Sequence, residues 1–257
     1  MIDLSILWPW SGRHMRIAGE SNVGLVRSNN EDSYVFQYSP GDRNALLVVA
    51  DGIGGHAHGE VASSMCCDVM AREWKKNRAG TREDTATMRD FLEWMIESAN
   101  TAIYRINSLS PQSRPMGCTV VAAVITPHAL LVANAGDSRC YGLCRTGLRQ
   151  LTCDHTLRAA MIARGGECCG ENLPQSNIIN KAVGPASRVS PALCCFERRA
   201  FQRIMLCSDG LTGMVPDDEI EAVLTESADP RLVNEQLVCA ALAAGGRDNV
   251  TVVTAFC

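Results

Sequence analysis

What this chain lacks narrows its function before any motif is read. Its 257 residues hold no apolar run approaching the length of a bilayer span, so no membrane-crossing helix is expected. Basic residues do not outnumber acids: the net charge is −4, which gives no reason to expect a nucleic-acid partner. Residues 1–15, MIDLSILWPWSGRHM, lack the basic start and clear cleavage site of a secretory leader. They read as an N-terminal arm, with Met15 as a second candidate start. No CxxC pair repeats at zinc spacing among the 13 cysteines. Three adjacent pairs (Cys66-Cys67, Cys168-Cys169, Cys194-Cys195) cannot easily bridge each other, and many others lie in apolar runs. Reduced, mostly buried thiols in a cytoplasmic protein are therefore expected. The glycines of DGIGG are not followed by Lys-Ser or Lys-Thr, which argues against a nucleotide phosphate loop.

What is present is a globular composition, 46% apolar and 20% charged, in a length that suits one large domain. The stretch Leu46–Glu60, LLVVADGIGGHAHGE, organises the rest. Its apolar run stopped by Asp51-Gly52 reads as a buried strand ending at a tight turn, which delivers one carboxylate to a rigid strand end. Alone, Asp-Gly is an ordinary turn dipeptide. The pattern recurs, however, at Asp137 (VANAGDSR), Asp209 (IMLCSDGL) and Asp248 (GGRDNVTVV), and Glu31-Asp32 stands early in RSNNED. So many acids in strand context exceed what turns alone explain.

With GCTVVAAVI, LTCDHT and LPQSNIINKAVG, these motifs resemble the metal-dependent Ser/Thr protein phosphatases of type 2C, in their short bacterial form. The resemblance runs from about Asn22 nearly to the C-terminus. It implies hydrolysis of phosphoserine and phosphothreonine in proteins by direct attack of a metal-bridging hydroxide. It implies that Arg27 holds the substrate phosphate, and that Glu31, Asp51, the Gly52 carbonyl, Asp209 and Asp248 bind two ions, with Asp51 between them. Asp137 would share a third ion with Asp209, while Asp32, Thr119 and Asn249 stand behind the ligands. Ligands that are all oxygen favour Mg²⁺ or Mn²⁺ over zinc. Partners would be phosphorylated proteins and a Ser/Thr kinase, with the phosphatase a monomer. Two alternatives share the scaffold: a non-catalytic phosphoprotein-binding regulator, and a phosphatase of a phosphorylated anti-sigma antagonist. One departure stands out. Eukaryotic relatives carry DGHGG, whose histidine is thought to protonate the leaving alkoxide; here that position is Ile53, which has no proton to give. His56 and His58 lie in the loop beyond, with no carboxylate or cysteine at ligand spacing beside them.

Read in order, NVGLVRSNNEDSYVF suggests a strand, a polar turn flanked by Arg27 and Glu31, and a second strand. On the residues alone, Arg27 and Glu31 read as a surface salt bridge. Glu60–Lys76 reads as a helix with Val61, Met65, Val69, Met70 and Trp74 as core, and 88–106 as a long amphipathic helix. GCTVVAAVITPHALLVANAGDSRCYGLCRTG reads as an antiparallel meander. LTCDHTLRAAMIARGG suggests a short helix capped by Asp154, opening a flap at about 152–180. Arg203–Ser208 is a strand, Asp217–Glu219 open a helix, Pro230–Ala244 is another, and VTVVTAF closes the chain. Antiparallel strand groups with paired long helices between them suit an α+β fold. The expectation is a sandwich of two antiparallel sheets flanked by helices, comprising one catalytic domain over 16–257.

Overall fold

The computed structural model describes residues 15–39, 44–53, 58–77, 84–109, 115–163 and 178–257. The arm before Met15, the middle of the expected flap, and residues 54–57 with His56 lie outside them.

One sheet runs in the order β2 (Asp32–Ser39), β3 (Asn44–Ile53), β5 (Val120–Ile125), β6 (Ala129–Ala135) and β9 (Ala192–Glu197). The two-residue β4 (Gly117–Cys118) pairs with the end of β3. The second sheet runs β1 (Arg16–Asn22), β11 (Val250–Phe256), β10 (Arg203–Cys207), β7 (Arg139–Cys144) and β8 (Gly147–Gln150). The pairing is antiparallel throughout. Helices α1 (Gly59–Asn77) and α2 (Thr85–Leu109) cover the first sheet, and α3 (Leu157–Ala163) lies in the flap region. The one-turn α4 (Asp209–Thr212), α5 (Asp217–Glu226) and α6 (Pro230–Ala243) cover the second.

The continuous apolar runs have a direct cause: central strands are covered on both faces, so no polar alternation is needed. In β3, Leu46, Val48 and Ala50 meet the helices, while Ala45, Leu47 and Val49 meet the opposite sheet. Three cores result, one between the sheets and one under each helical layer. On α1 and α2, Met70, Leu92, Met95, Ile96 and Ile103 are fully buried. At about 1.5–3 kcal/mol each relative to exposure, they make the helix layer a fixed wall behind β3.

The α+β sandwich and its helices agree with the sequence; five local readings do not. NVGLV is not a strand. The first strand is the earlier Arg16–Asn22, paired along its length with β11, and after it the chain turns at Gly24, whose φ is +80°. A Cβ there would clash with the Asp248 carbonyl, so only glycine fits. The meander is also broken. β6 and β7 belong to different sheets, and Gly136-Asp137 is the crossing between them. Val61 and Ile106 are exposed rather than core. Asp154 does not cap α3; both its oxygens are taken by Arg139, at 2.7–3.2 Å. Thr156 Oγ1 accepts the Ala159 N–H instead. Finally, the described cysteines are all free, but Cys153, Cys194, Cys195, Cys239 and Cys257 are exposed, because edge and surface positions carry them as well as the core.

Candidate active site

The strand ends bring the acids together from both sheets. Asp51 stands two residues before the end of β3 and Asp32 opens β2, and the two face each other in register. From the other sheet, Asp209 lies two positions past the end of β10 and Asp248 two positions before the start of β11. Ser208 ties the two layers: its hydroxyl donates to Asp32 Oδ2 at 2.8 Å and accepts the Thr251 N–H at 3.0 Å. Asp137 arrives at the sheet-to-sheet crossing, buried, with Oδ1 lacking any partner. Asp32 Oδ1 is likewise orphaned.

Crowding sets the electrostatics. Burial, then Asp32, Asp209 and Asp137, push the Asp51 carboxyl well above its ordinary value. The Asp51 residue keeps part of its surface, yet desolvation of the carboxyl remains the largest cause. Asp209 is raised by burial and by Asp248, offset in part by its contact with Asp51 and by Arg27 and Arg139. Burial lifts Asp32 to about 6 and, with Asp209 beside it, Asp137 to about 7. Glu31 is raised by burial and by Glu60. Like charges this close cannot all ionise without a counter-charge.

The polypeptide around Asp51 is held by backbone. Thr119 gives its N–H to the Asp51 carbonyl at 2.8 Å, and its hydroxyl accepts the Asp51 N–H at 3.1 Å. Thr119 thus acts on the Asp51 main chain. Gly52 donates to the Glu31 carbonyl at 3.1 Å and lies against Gly59, where a side chain would clash. Gly59 in turn leaves room for the Glu31 carboxylate. Ser63 completes this corner, donating to the Glu31 carbonyl at 2.6 Å.

Arg27 is where the sequence reading and the structure part. The guanidinium pairs with Asp248 at 2.8 Å, not with Glu31. Both partners are substantially exposed, so the pair is worth about 0–1 kcal/mol and exchanges readily. Asn249 fixes the Arg27 loop: its Oδ1 accepts the Glu31 N–H at 2.8 Å, and its Nδ2 donates to the Val23 and Asn29 carbonyls at 2.8 and 2.9 Å.

Beside Asp137, His155 anchors the stretch that leads into α3. Its N–H donates to the Gly136 carbonyl at 2.9 Å, and its Nδ1 accepts the Gly136 N–H at 3.2 Å. Ile53, at the end of β3, is partly exposed. His58 is exposed at a φ of +81°. Sequence reasoning missed Ser63, Ser208 and His155. SNN and SDG do signal turns, but nothing in them says that a hydroxyl crosses from sheet to sheet.

Divalent cations fit this donor set. Among the described residues no three His, Cys, Asp or Glu side chains form a ready cation cage. The case rests on crowded carboxyls, all oxygen, two with orphaned buried atoms. Such a cluster lacks positive charge more than it lacks geometry.

Comparison with known proteins agrees. A family model described as protein phosphatase 2C matches residues 26–242. A serine/threonine phosphatase stp of Listeria monocytogenes is 35% identical over 235 residues, covering 90% of this chain and 91% of that one. The structure of serine/threonine phosphatase Stp1 from Staphylococcus aureus superposes with a TM-score of 0.85 at 31% identity, covering 96% of each chain. The catalytic domain of serine threonine protein phosphatase PstP, in complex with two manganese ions, superposes at 0.80 with 34% identity, covering 94% of this chain and 97% of that one.

Proposed function

The chain belongs to the protein phosphatase 2C family and is a metal-dependent serine/threonine protein phosphatase acting on phosphoproteins; from that premise we propose the residues that do the work. Glu31, Asp51, the Gly52 carbonyl, Asp209 and Asp248 hold two Mn²⁺ or Mg²⁺ ions, and Arg27 holds the phosphate. The observation that carries this reading is the convergence of Asp32 and Asp51 from one sheet with Asp209 and Asp248 from the other, with buried carboxylate oxygens of Asp32 and Asp137 left without a partner.

When bound, such ions supply an acidified water and neutralise phosphate charge. The protein's own part is positional. Thr119 locks the Asp51 backbone, Ser208 aims Asp32, and Asn249 holds the loop that presents Arg27. The guanidinium fork matches two phosphate oxygens and leaves Asp248 free for a cation when it turns to substrate. Ile53 donates no proton, so the leaving alkoxide takes its proton from water. The kept carboxylates disfavour a non-catalytic regulator. A monomer working in the cytoplasm against a Ser/Thr kinase completes the proposal. Among the described residues, no helix is long and apolar enough to cross a membrane.

Phosphate release from a phosphothreonine peptide with Mn²⁺, abolished by EDTA, tests the reading. Arg27→Ala should lower kcat/KM by about 10- to 150-fold, equivalent to about 1.5–3 kcal/mol for a lost bond to a charged group. Its Mn²⁺ affinity by calorimetry should not fall, because Asp248 loses a competing cation. A tenfold weaker metal site would make Arg27 structural instead.

Asp137 holds a third, weaker ion together with Asp209. Asp137→Asn should remove the weakest Mn²⁺ step of a calorimetric titration and leave the tighter ones. An unchanged titration would reduce Asp137 to a turn residue.

A further inference from the structure

Leu25 and Val26 are 67% and 70% exposed; of the large apolar side chains among the described residues, only Leu109 at the end of α2 is more so. They are not carried on a loose loop. Gly24 donates to Asn22 Oδ1 at 2.9 Å, and Leu25 donates to the Gly246 carbonyl at 2.7 Å. Asn249 clamps the carbonyls of Val23 and Asn29 on either side. Every one of these anchors lies in the loop over 246–249 or in the turn itself, so the pair is fixed relative to Asp248. Folding gains little from them: Leu25 passes over Gly246, while Val26 stands in water. Rigidly displayed apolar surface at the mouth of a site marks a contact made by something else.

We propose that Leu25 and Val26 form an apolar shelf that receives a hydrophobic side chain flanking the phosphorylated serine or threonine of the substrate protein. The proposal rests on the reading of Arg27 as the phosphate holder. Val26 directly precedes Arg27, and successive Cα atoms are about 3.8 Å apart. An extended substrate whose phosphate meets the guanidinium therefore brings its neighbours, within about one to three residues, over the shelf. The charge on the phosphate is met by Arg27, and the shelf adds none. A charged flanking residue would lose water there without compensation. The preference is thus for leucine-like flanks over acidic ones.

The test compares two phosphothreonine peptides with Mn²⁺, one with leucine and one with glutamate at the flanking positions. The unsubstituted protein should favour the leucine peptide by about tenfold in kcat/KM, the lower end of what one apolar contact gives an enzyme in discrimination. The difference should lie in KM, as expected for binding felt equally in ground and transition states. The double variant Leu25→Asn, Val26→Thr keeps side-chain size and should lose the preference; Leu25→Met, Val26→Ile should retain it. Equal turnover of both peptides by the unsubstituted protein, or a preference surviving in the polar variant, overturns the shelf. Equal losses on both peptides in the polar variant overturn it too, since the loop would then only support Arg27. No turnover of either peptide by the unsubstituted protein strikes the phosphatase reading itself.

Discussion

Replacing Asp51 or Asp209 by asparagine is expected to abolish turnover and, in the metal-free protein, to raise the melting temperature. The two effects share one cause. Both carboxyls stand beside other acids, and each is pushed up by desolvation and by its neighbours. An asparagine carries no charge, so it removes repulsion from the acid cluster along with the proposed metal ligand. Activity should fall by at least about 10²–10³-fold, the loss seen when one preorganised electrostatic contributor is removed. Each kcal/mol of relieved repulsion should add about 2–4 °C in a domain of this size. Phosphate release at saturating Mn²⁺ and a melt in EDTA read the two. Near-normal turnover in a folded variant would sink the ligand assignment. A lowered melting temperature in both variants would mean the acids are packed for stability.

Metal-free protein should also be more stable near pH 5 than near pH 8, the reverse of what paired carboxylates produce. Asp32 sits at about 6 and Asp137 at about 7, both above the ordinary aspartate value of 3.8. Between pH 4 and 7 the folded state therefore binds more protons than the unfolded chain, and stability falls as pH rises. The contribution is complete below pH 4 and lost once pH passes through 6 and 7. The total is on the order of a few kcal/mol. Saturating Mn²⁺ should cancel the loss at pH 8, because an ion that binds only the folded state stabilises it by mass action. Urea titrations at pH 5 and 8, with and without Mn²⁺, measure this. A metal-free protein more stable at pH 8 would contradict the crowding.

The legible parts of the site were those announced by a local change. In Leu46–Asp51 and Ile204–Asp209 an apolar run stops at an acid followed by glycine; the structure carries β3 two residues past Asp51, to Ile53, and makes Asp209 the first residue of α4, just beyond β10. Helices α1, α2, α5 and α6 were legible from periodicity and from the acids and proline at their starts. What stayed hidden was pairing at a distance. Gly136-Asp137 looks the same whether the next strand stays in its sheet or leaves it. Arg27 and Asp248 meet across 221 residues, and no local pattern names that partner. NVGLV misled because branched residues in short alternation suit a strand, whereas the glycine within it turns the chain toward Gly246. Asp154 misled because a good capping residue was already held by Arg139.

The crossing at Gly136-Asp137 and the Ser208–Asp32 bridge have a consequence for the acid cluster as a measuring device. Asp32 and Asp51 come from one sheet, and Asp209 and Asp248 from the other. The gap between these pairs therefore follows how closely the two sheets pack. Ala45 and Ala123 of one sheet and Ala255 of the other lie in the core between the sheets, among larger apolar side chains. The caliper that sets the spacing of these acids is therefore closed by apolar side chains of the interior. A larger side chain there would act as a wedge, and ion affinity would register it.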